Sequence, residues 1–412
     1  MTELAKRQLI TAAGLIAVAG GLPQRAVGQG KDPPGVTATE IKIGQTLPYS
    51  GPTSAYGQLG RIEAVYFRRL NDNGGINGRR INLISLDDGL SPPKAVEQVR
   101  RLVEQEQVAF VFNTLGTSIN VVIRGYLNAR KIPQLFVAAG SARFADPEHF
   151  PWTIGWQPTL LSEADFYAKH VLKTVPNARM AVLYQNDDFG KELLAGLKQG
   201  LGDEAGSVIS EASYEATDPT VDSQMVTLHG SGADTLFMFA YAKQAAQAIR
   251  KAADLGWKAN KYLHLGAASV AATFVPAGVE NSVGVKTAGF IKDGGDPQWA
   301  DDPDMQAWRA WMSKYMPDAD TTDGINVAGY SYAQLLEQVL RKCGNDLSRE
   351  NINAAGHQPA RCAPAAAASR QPHQHEPDAV PRHHVHEAAG VQRAELDVRL
   401  DEFGVESGRA AP

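Results

Sequence analysis

Cysteine is nearly absent: Cys343 and Cys362 are the two in 412 residues. No disulfide framework is implied, although a single bridge between them stays open. Charge of one sign is also lacking. A formal net charge of -5 with 21% charged residues gives no footing for nucleic acid or an anionic membrane. No apolar run reaches the roughly 20 residues of a membrane-spanning helix. The sequence has no G-x-S-x-G elbow, no G-x-x-x-x-G-K-[ST] loop and no H-E-x-x-H pair. Its two acid pairs, Asp87-Asp88 and Asp187-Asp188, are chain neighbours whose side chains diverge, unlike a cooperating dyad. Neither catalysis nor a resident cofactor or metal is expected.

The N-terminus carries Lys6-Arg7, an apolar run from Leu9 to about Gly21, Pro23 and then Ala26-Val27-Gly28. A charged start, a short apolar stretch and small residues at the cut read as a signal peptide over 1–28, cleaved near Gly28. An uncleaved membrane anchor is the rival reading. No cysteine follows the apolar run, which argues against a lipoprotein.

The C-terminal part differs in composition. No Lys occurs after Lys342, no Ile after Ile352, no Thr after Thr322 and no Tyr after Tyr332. Six of the ten histidines fall between His357 and His386. A change of reading frame at about Asn353 explains an Ala/Arg/Pro/His-rich tail over 353–412 as a remnant. A metal-binding tail, using His373, His375, His383, His384 and His386, is the alternative.

Between these ends, strand and helix patterns alternate from Glu40 onward. Alternation predicts α/β architecture: parallel sheets covered by helices, wound in right-handed crossovers. At 43% hydrophobic, the chain can bury one large core or two lobes. The Pro- and Trp-rich stretch 146–158 marks a first crossing between lobes, and Pro276–Ser282 a second. The expected division is 40–157 with 282–352 in lobe 1, and 158–281 in lobe 2.

The segment NDNGGINGRRINLISLDD, 71–88, is the most distinctive. A helix bearing Ala64, Val65, Phe67 and Leu70 stops at an Asn/Asp/Gly cluster. Gly74, Gly75 and Gly78 supply positive φ angles for a tight reversal, and the strand Ile81–Leu86 follows. In order and spacing this segment resembles the amino-acid-type, leucine-binding-protein-like family of periplasmic solute-binding proteins, the receptors of ABC importers. The resemblance covers about Glu40 to Ile352. It implies a type I periplasmic binding fold of two doubly wound lobes joined by a hinge. It also implies a last helix and final strands on the second lobe, a pattern the tail sequence lacks.

Candidate ligand contacts lie where strands end and helices begin. Asn113–Ser118 and Ala138–Ser141 offer small residues, hydroxyls and free N–H groups that suit a carboxylate. Plain N-capping by Thr117 or Ser118 stays open. The resemblance implies that Leu115, Thr117, Ala139 and Ser141 hold a ligand carboxylate. Tyr56, behind the Ser50-Gly51-Pro52 turn, would pack on the ligand, with Phe189 and Tyr241 contacting it from the second lobe. A surface position for Tyr56 and core packing for Phe189 and Tyr241 are the alternatives.

One departure stands out. Amino-acid binders of this family place a carboxylate for the ligand's ammonium after the strand that corresponds to Lys261–Leu265. Here that loop, Gly266–Val270, carries no acid, and a buried ammonium without a counter-charge is costly. An aromatic or aliphatic acid is therefore expected ahead of a branched-chain amino acid, with Asp187 or Asp188 able to restore the missing charge. The expectation is an exported, periplasmic, monomeric receptor that closes on a small carboxylate and delivers it to an inner-membrane ABC permease. A ligand sensor of the same fold is the alternative.

Overall fold

The structure is a computed structural model that describes residues 33–358 and the backbone of 384–387. The expected signal peptide, Cys362, and His373, His375 and His383 lie outside the described residues.

Two sheets form the molecule. The first runs β2-β1-β3-β4-β5, from β1 (Glu40–Leu47), β2 (Arg80–Asp87), β3 (Phe110–Phe112), β4 (Gln134–Val137) and β5 (Thr153–Gly155). All its pairings are parallel. The second runs β11-β10-β9-β8-β6-β7, from β6 (Met180–Gln185), β7 (Val208–Tyr214), β8 (Thr235–Phe239), β9 (Asn260–Leu263), β10 (Val285–Gly289) and β11 (His384–Glu387). Only the β10–β11 pairing is antiparallel. The strands β3, β4 and β8 are buried along their whole length, as expected where helices cover both faces.

Helices α1 (Gln58–Asp72), α2 (Pro92–Glu104) and α3 (Thr117–Ala129) belong to the first lobe. Helices α4 (Leu160–Thr174), α5 (Asp188–Leu201), α6 (Asp222–Gly230), α7 (Ala242–Asp254) and the single turn α8 (Val275–Ala277) belong to the second. Helix α1 shows why such segments fold as they do. Leu59, Ile62, Tyr66, Phe67 and Leu70 recur at helical spacing and are buried, while Arg61 and Arg68 stay at the surface. Its C-terminal reversal uses Gly74, Gly75 and Gly78 at φ +94°, +69° and +81°. A Cβ on Gly75 would strike the Arg79 carbonyl, so this position admits no side chain.

The chain then departs from the sequence reading. The strand β10 was expected in the first lobe, after a crossing at Pro276–Ser282. It pairs parallel with β9 in the second sheet, so the chain crosses after Gly289. Residues 276–282 look like a linker because of Pro276 and Gly278, yet they are turns packed under α7. Helices α9 (Pro303–Tyr315) and α10 (Gly324–Cys343) follow. Helix α10 lies along α1: Gly329 packs on Ile62, and Tyr66 donates to Glu337 at 2.6 Å. Helix α11 (Arg349–Gly356) continues across Asn353, whose side chain donates to the Pro151 carbonyl at 2.9 Å. A final strand on the second lobe, missing from the sequence reading of the tail, is present as the backbone of β11.

Candidate functional site

Strand order decides where a site can form. In the first sheet, neighbours diverge on either side of β1 and β3; in the second, between β6 and β8. Loops leaving the carboxyl ends of such strand pairs split apart and leave a crevice. Those loops carry Tyr56 after β1, Leu115 and Thr117 after β3, Phe189 after β6 and Tyr241 after β8. The two crevices face each other and enclose a cavity of about 780 Å³ lined by all five residues and by Ala139. That lies within the roughly 300–1,000 Å³ usual for small-molecule sites.

On the first-lobe side, Gly116 takes φ +98° as the residue before α3. The Asn120 amide ties this loop down, donating to the Thr114 and Gly116 carbonyls at 2.9 and 2.8 Å. No side chain caps α3. Thr117 is its first helical residue and Ser118 its second, so neither performs the capping that was the alternative reading. Orphan N–H groups at this end, with the helix dipole behind them, form a setting for an anion.

The second loop divides. Ala139 lines the cavity and Ser141 does not. The Gly140 carbonyl accepts from Leu160 N at 2.6 Å, and a Cβ on Gly140 would meet the Pro158 carbonyl. The chain therefore turns away, and Ser141 caps the short turn Ala142–Phe144 by accepting from Arg143 N at 3.3 Å. It borders a smaller cavity of about 390 Å³ on the other side of the crossing. The expected contact of Ser141 with the main cavity is thus corrected.

The aromatic residues form one stack across the cleft. Phe189 lies parallel to Tyr241 at 4.7 Å between ring centres, and Tyr241 meets Tyr56 edge-on at 5.4 Å. Tyr56 is not a surface residue: it is 5% exposed. Its hydroxyl donates to the Gly266 carbonyl at 3.0 Å and accepts from Ala242 N at 3.2 Å, both in the second lobe. Around the rim, Arg143 pairs with Asp188 at 3.0 Å, Glu192 accepts from Ala142 N at 2.7 Å, and Ser269 donates to Asp323 at 2.9 Å. These contacts make this the closed arrangement of the two lobes.

Asp187 does not line the cavity. Burial raises its pKa, although the Gly190 N–H and the Gln185 amide, donating at 3.1 and 2.8 Å, act against that. Its side chain caps α5, and Asp188 is spent on Arg143. Carboxylates do line the hinge end of the cavity, at Asp293 and Asp296, beside Lys292. Lys292 is 1% exposed and its ammonium is matched by Asp302 at 2.8 Å and Asp304 at 3.3 Å.

Sequence reasoning missed His264, Gln157, Phe290 and Tyr332 on the cavity wall. His264 was placed inside a strand drawn to Leu265, but β9 stops at Leu263. Moving that boundary by two residues puts His264 at a strand end, where the other candidates were found.

Two doubly wound lobes, closed over a cavity at their paired switch points, define a hinged binding architecture. The profile of the periplasmic binding protein family matches residues 40–375, beyond the Ile352 limit of the sequence resemblance. The chain belongs to that family. It is 21% identical over 237 residues to Leu/Ile/Val-binding protein homolog 7 of Brucella suis, covering 56% of this chain and 59% of the relative. The chain thus spans about three-fifths of that protein's length. The branched chain amino acid ABC transporter structure from Thermus thermophilus with bound valine superposes with TM-score 0.75 at 15% identity, covering 88% of this chain and 96% of that one. The R. palustris ABC transporter solute binding protein in complex with 4-hydroxybenzoate gives TM-score 0.66 at 19% identity, covering 77% and 84%. At these identities the two structures establish the shared fold. Among the described residues no helix is long and apolar enough to cross a membrane.

Proposed function

We propose that the chain is the receptor of an ABC importer and closes its lobes around a small carboxylate, handing the closed form to an inner-membrane permease. The observation that carries this is the uncapped N-terminus of α3, opening with Thr117 onto a cavity walled by Tyr56, Phe189 and Tyr241. The ligand carboxylate sits at Leu115, Thr117 and Ala139, and its apolar body lies against the aromatic stack. Ser141 has no part in this reading. An aromatic or aliphatic acid fits better than an amino acid, because the loop after β9 brings no carboxylate to an ammonium at this end of the cavity. The cavity's size points the same way: about 780 Å³ is generous for a molecule of valine's dimensions. Relatives of the same fold include one solved with valine and one with 4-hydroxybenzoate, so both classes are accessible to the architecture. The receptor works in the periplasm as a monomer, and binding without turnover is its whole activity. A thermal-shift screen of the full chain against benzoates, medium-chain fatty acids and branched-chain amino acids tests this. Stabilisation by acids lacking an amine is expected. A response to leucine or valine alone overturns the ligand class, and product formation from any of these compounds overturns the receptor reading.

A further inference from the structure

His264 is held in a way that leaves one ring nitrogen for the ligand. Its Nδ1 lies 2.9 and 3.1 Å from the two carboxylate oxygens of Glu163, on α4. Glu163 also accepts from Leu265 N at 2.8 Å, so the carboxylate grips both the ring and the backbone beyond it. Both side chains are nearly closed to solvent, at 8% and 1% exposure. With Nδ1–H committed to a carboxylate, the opposite nitrogen, Nε2, is fixed in direction. Among the described residues no group hydrogen-bonds Nε2. Gly266 passes directly beside it, and a Cβ there would come within 2.6 Å of that atom, so the glycine keeps it uncovered. Phe189 meets the imidazole edge-on at 4.7 Å, which fixes the ring plane against the aromatic stack. Both His264 and Gly266 line the cavity.

We propose that His264, positioned by Glu163, is a specificity-determining residue whose Nε2 accepts a hydrogen bond from a hydroxyl on the ligand, and that the preferred ligands are hydroxylated carboxylic acids, aromatic ones foremost. This rests on the carboxylate-receptor reading above and adds a second polar anchor from the opposite lobe. A ligand pinned at α3 through its carboxylate and at His264 through its hydroxyl spans the cleft. It therefore stabilises closure, whereas an unsubstituted acid leaves the buried nitrogen without a partner.

Calorimetry with benzoate, 4-hydroxybenzoate, leucine and valine on the full chain tests the proposal. The wild type is expected to bind the hydroxy acid about ten-fold more tightly than benzoate. In His264→Asn, the amide keeps a donor for Glu163 near the Nδ1 position and deletes Nε2. This variant is expected to lose the preference, with its affinities for benzoate and 4-hydroxybenzoate differing by less than about two-fold. Full preference in a folded His264→Asn overturns the proposal. Equal wild-type affinity for the two benzoates also overturns it, and leaves the acid-receptor reading standing. Binding of leucine or valine with neither acid recognised, or of none of the four, overturns both. A measurement independent of any variant is the imidazole 15N spectrum of the wild type. The Nε2 resonance of His264 should move on adding 4-hydroxybenzoate and stay in place with benzoate, and no such difference also refutes the assignment.

Discussion

Removing one oxygen from Tyr56 should open the molecule. In the closed form its hydroxyl joins the lobes twice, donating to Gly266 O at 3.0 Å and accepting from Ala242 N at 3.2 Å. Burial raises the phenol's pKa, so it remains a donor throughout the working pH range. In Tyr56→Phe the ring still meets Tyr241 edge-on, and only the two bonds are lost. In the closed form the stranded carbonyl and N–H are then cut off from water, at a cost of about 1–3 kcal/mol for such groups. In an open form both are hydrated and cost nothing. Taking about 2 kcal/mol as the difference, the closed-to-open ratio falls roughly 30-fold. Apparent affinity for whichever ligand stabilises the wild type falls with it. Calorimetry should show that loss, and small-angle scattering should show a larger radius of gyration at subsaturating ligand. Affinity within two-fold of wild type, with unchanged scattering, would refute the strap.

Three further outcomes follow from other positions. Burial lifts the Asp88 carboxyl from 3.8 to about 6, against the Leu90 N–H it accepts at 2.8 Å. A raised folded pKa stabilises fully below pH 3.8, and this contribution is lost as pH rises through about 6. The shift is worth roughly 3 kcal/mol at 1.36 kcal/mol per unit. Asp88→Asn should therefore raise the neutral-pH melting temperature and flatten its fall between pH 4 and 7; an unchanged pH profile would count against the assignment. Arg143→Ala removes an interlobe ion pair whose members are 48% and 37% exposed, so affinity should change by less than about 1 kcal/mol and only at low salt. A larger, salt-independent loss would mean the pair does more than its exposure allows. Gly140→Ala drives a methyl group into the Pro158 carbonyl and should cost about 1–3 kcal/mol of stability, read by denaturant unfolding. A neutral result would show that the crossing yields easily.

The parallel lobes were legible because periodicity and turn chemistry agree along most of the chain. The Gly74–Gly78 reversal was read correctly down to its positive φ angles. Strand membership near the second crossing was not legible. Val285–Gly289 is apolar enough for either sheet, and nothing local distinguishes pairing with β9 from a return to β5. The cavity wall divides in the same way. Residues such as Thr117 and Tyr241 sit at strand or helix ends, where topology alone places them in a crevice. Ser141 was misplaced because the turn at Gly140 depends on Pro158 and Leu160, contacts that no local pattern reveals. His264 was hidden by a strand boundary drawn two residues late, and its partner Glu163 lies about a hundred residues earlier in the chain. Lys292 was passed over because its meaning comes from Asp302 and Asp304 around it.

The packing of α10 along α1 sets an order in time. Gln58 bonds Asn326 and Tyr66 bonds Glu337, each across about 270 residues. Nearly the whole domain must therefore reach the compartment where it folds before the apolar face of Leu59, Ile62 and Tyr66 can be covered. Until then that face of α1 stays bare, and contacts this distant in sequence close slowly. The second lobe interrupts the first and can consolidate earlier, apart from its edge strand β11. Maturation should accordingly run from the middle of the chain outward, with the first lobe left last and most in need of a chaperone's cover.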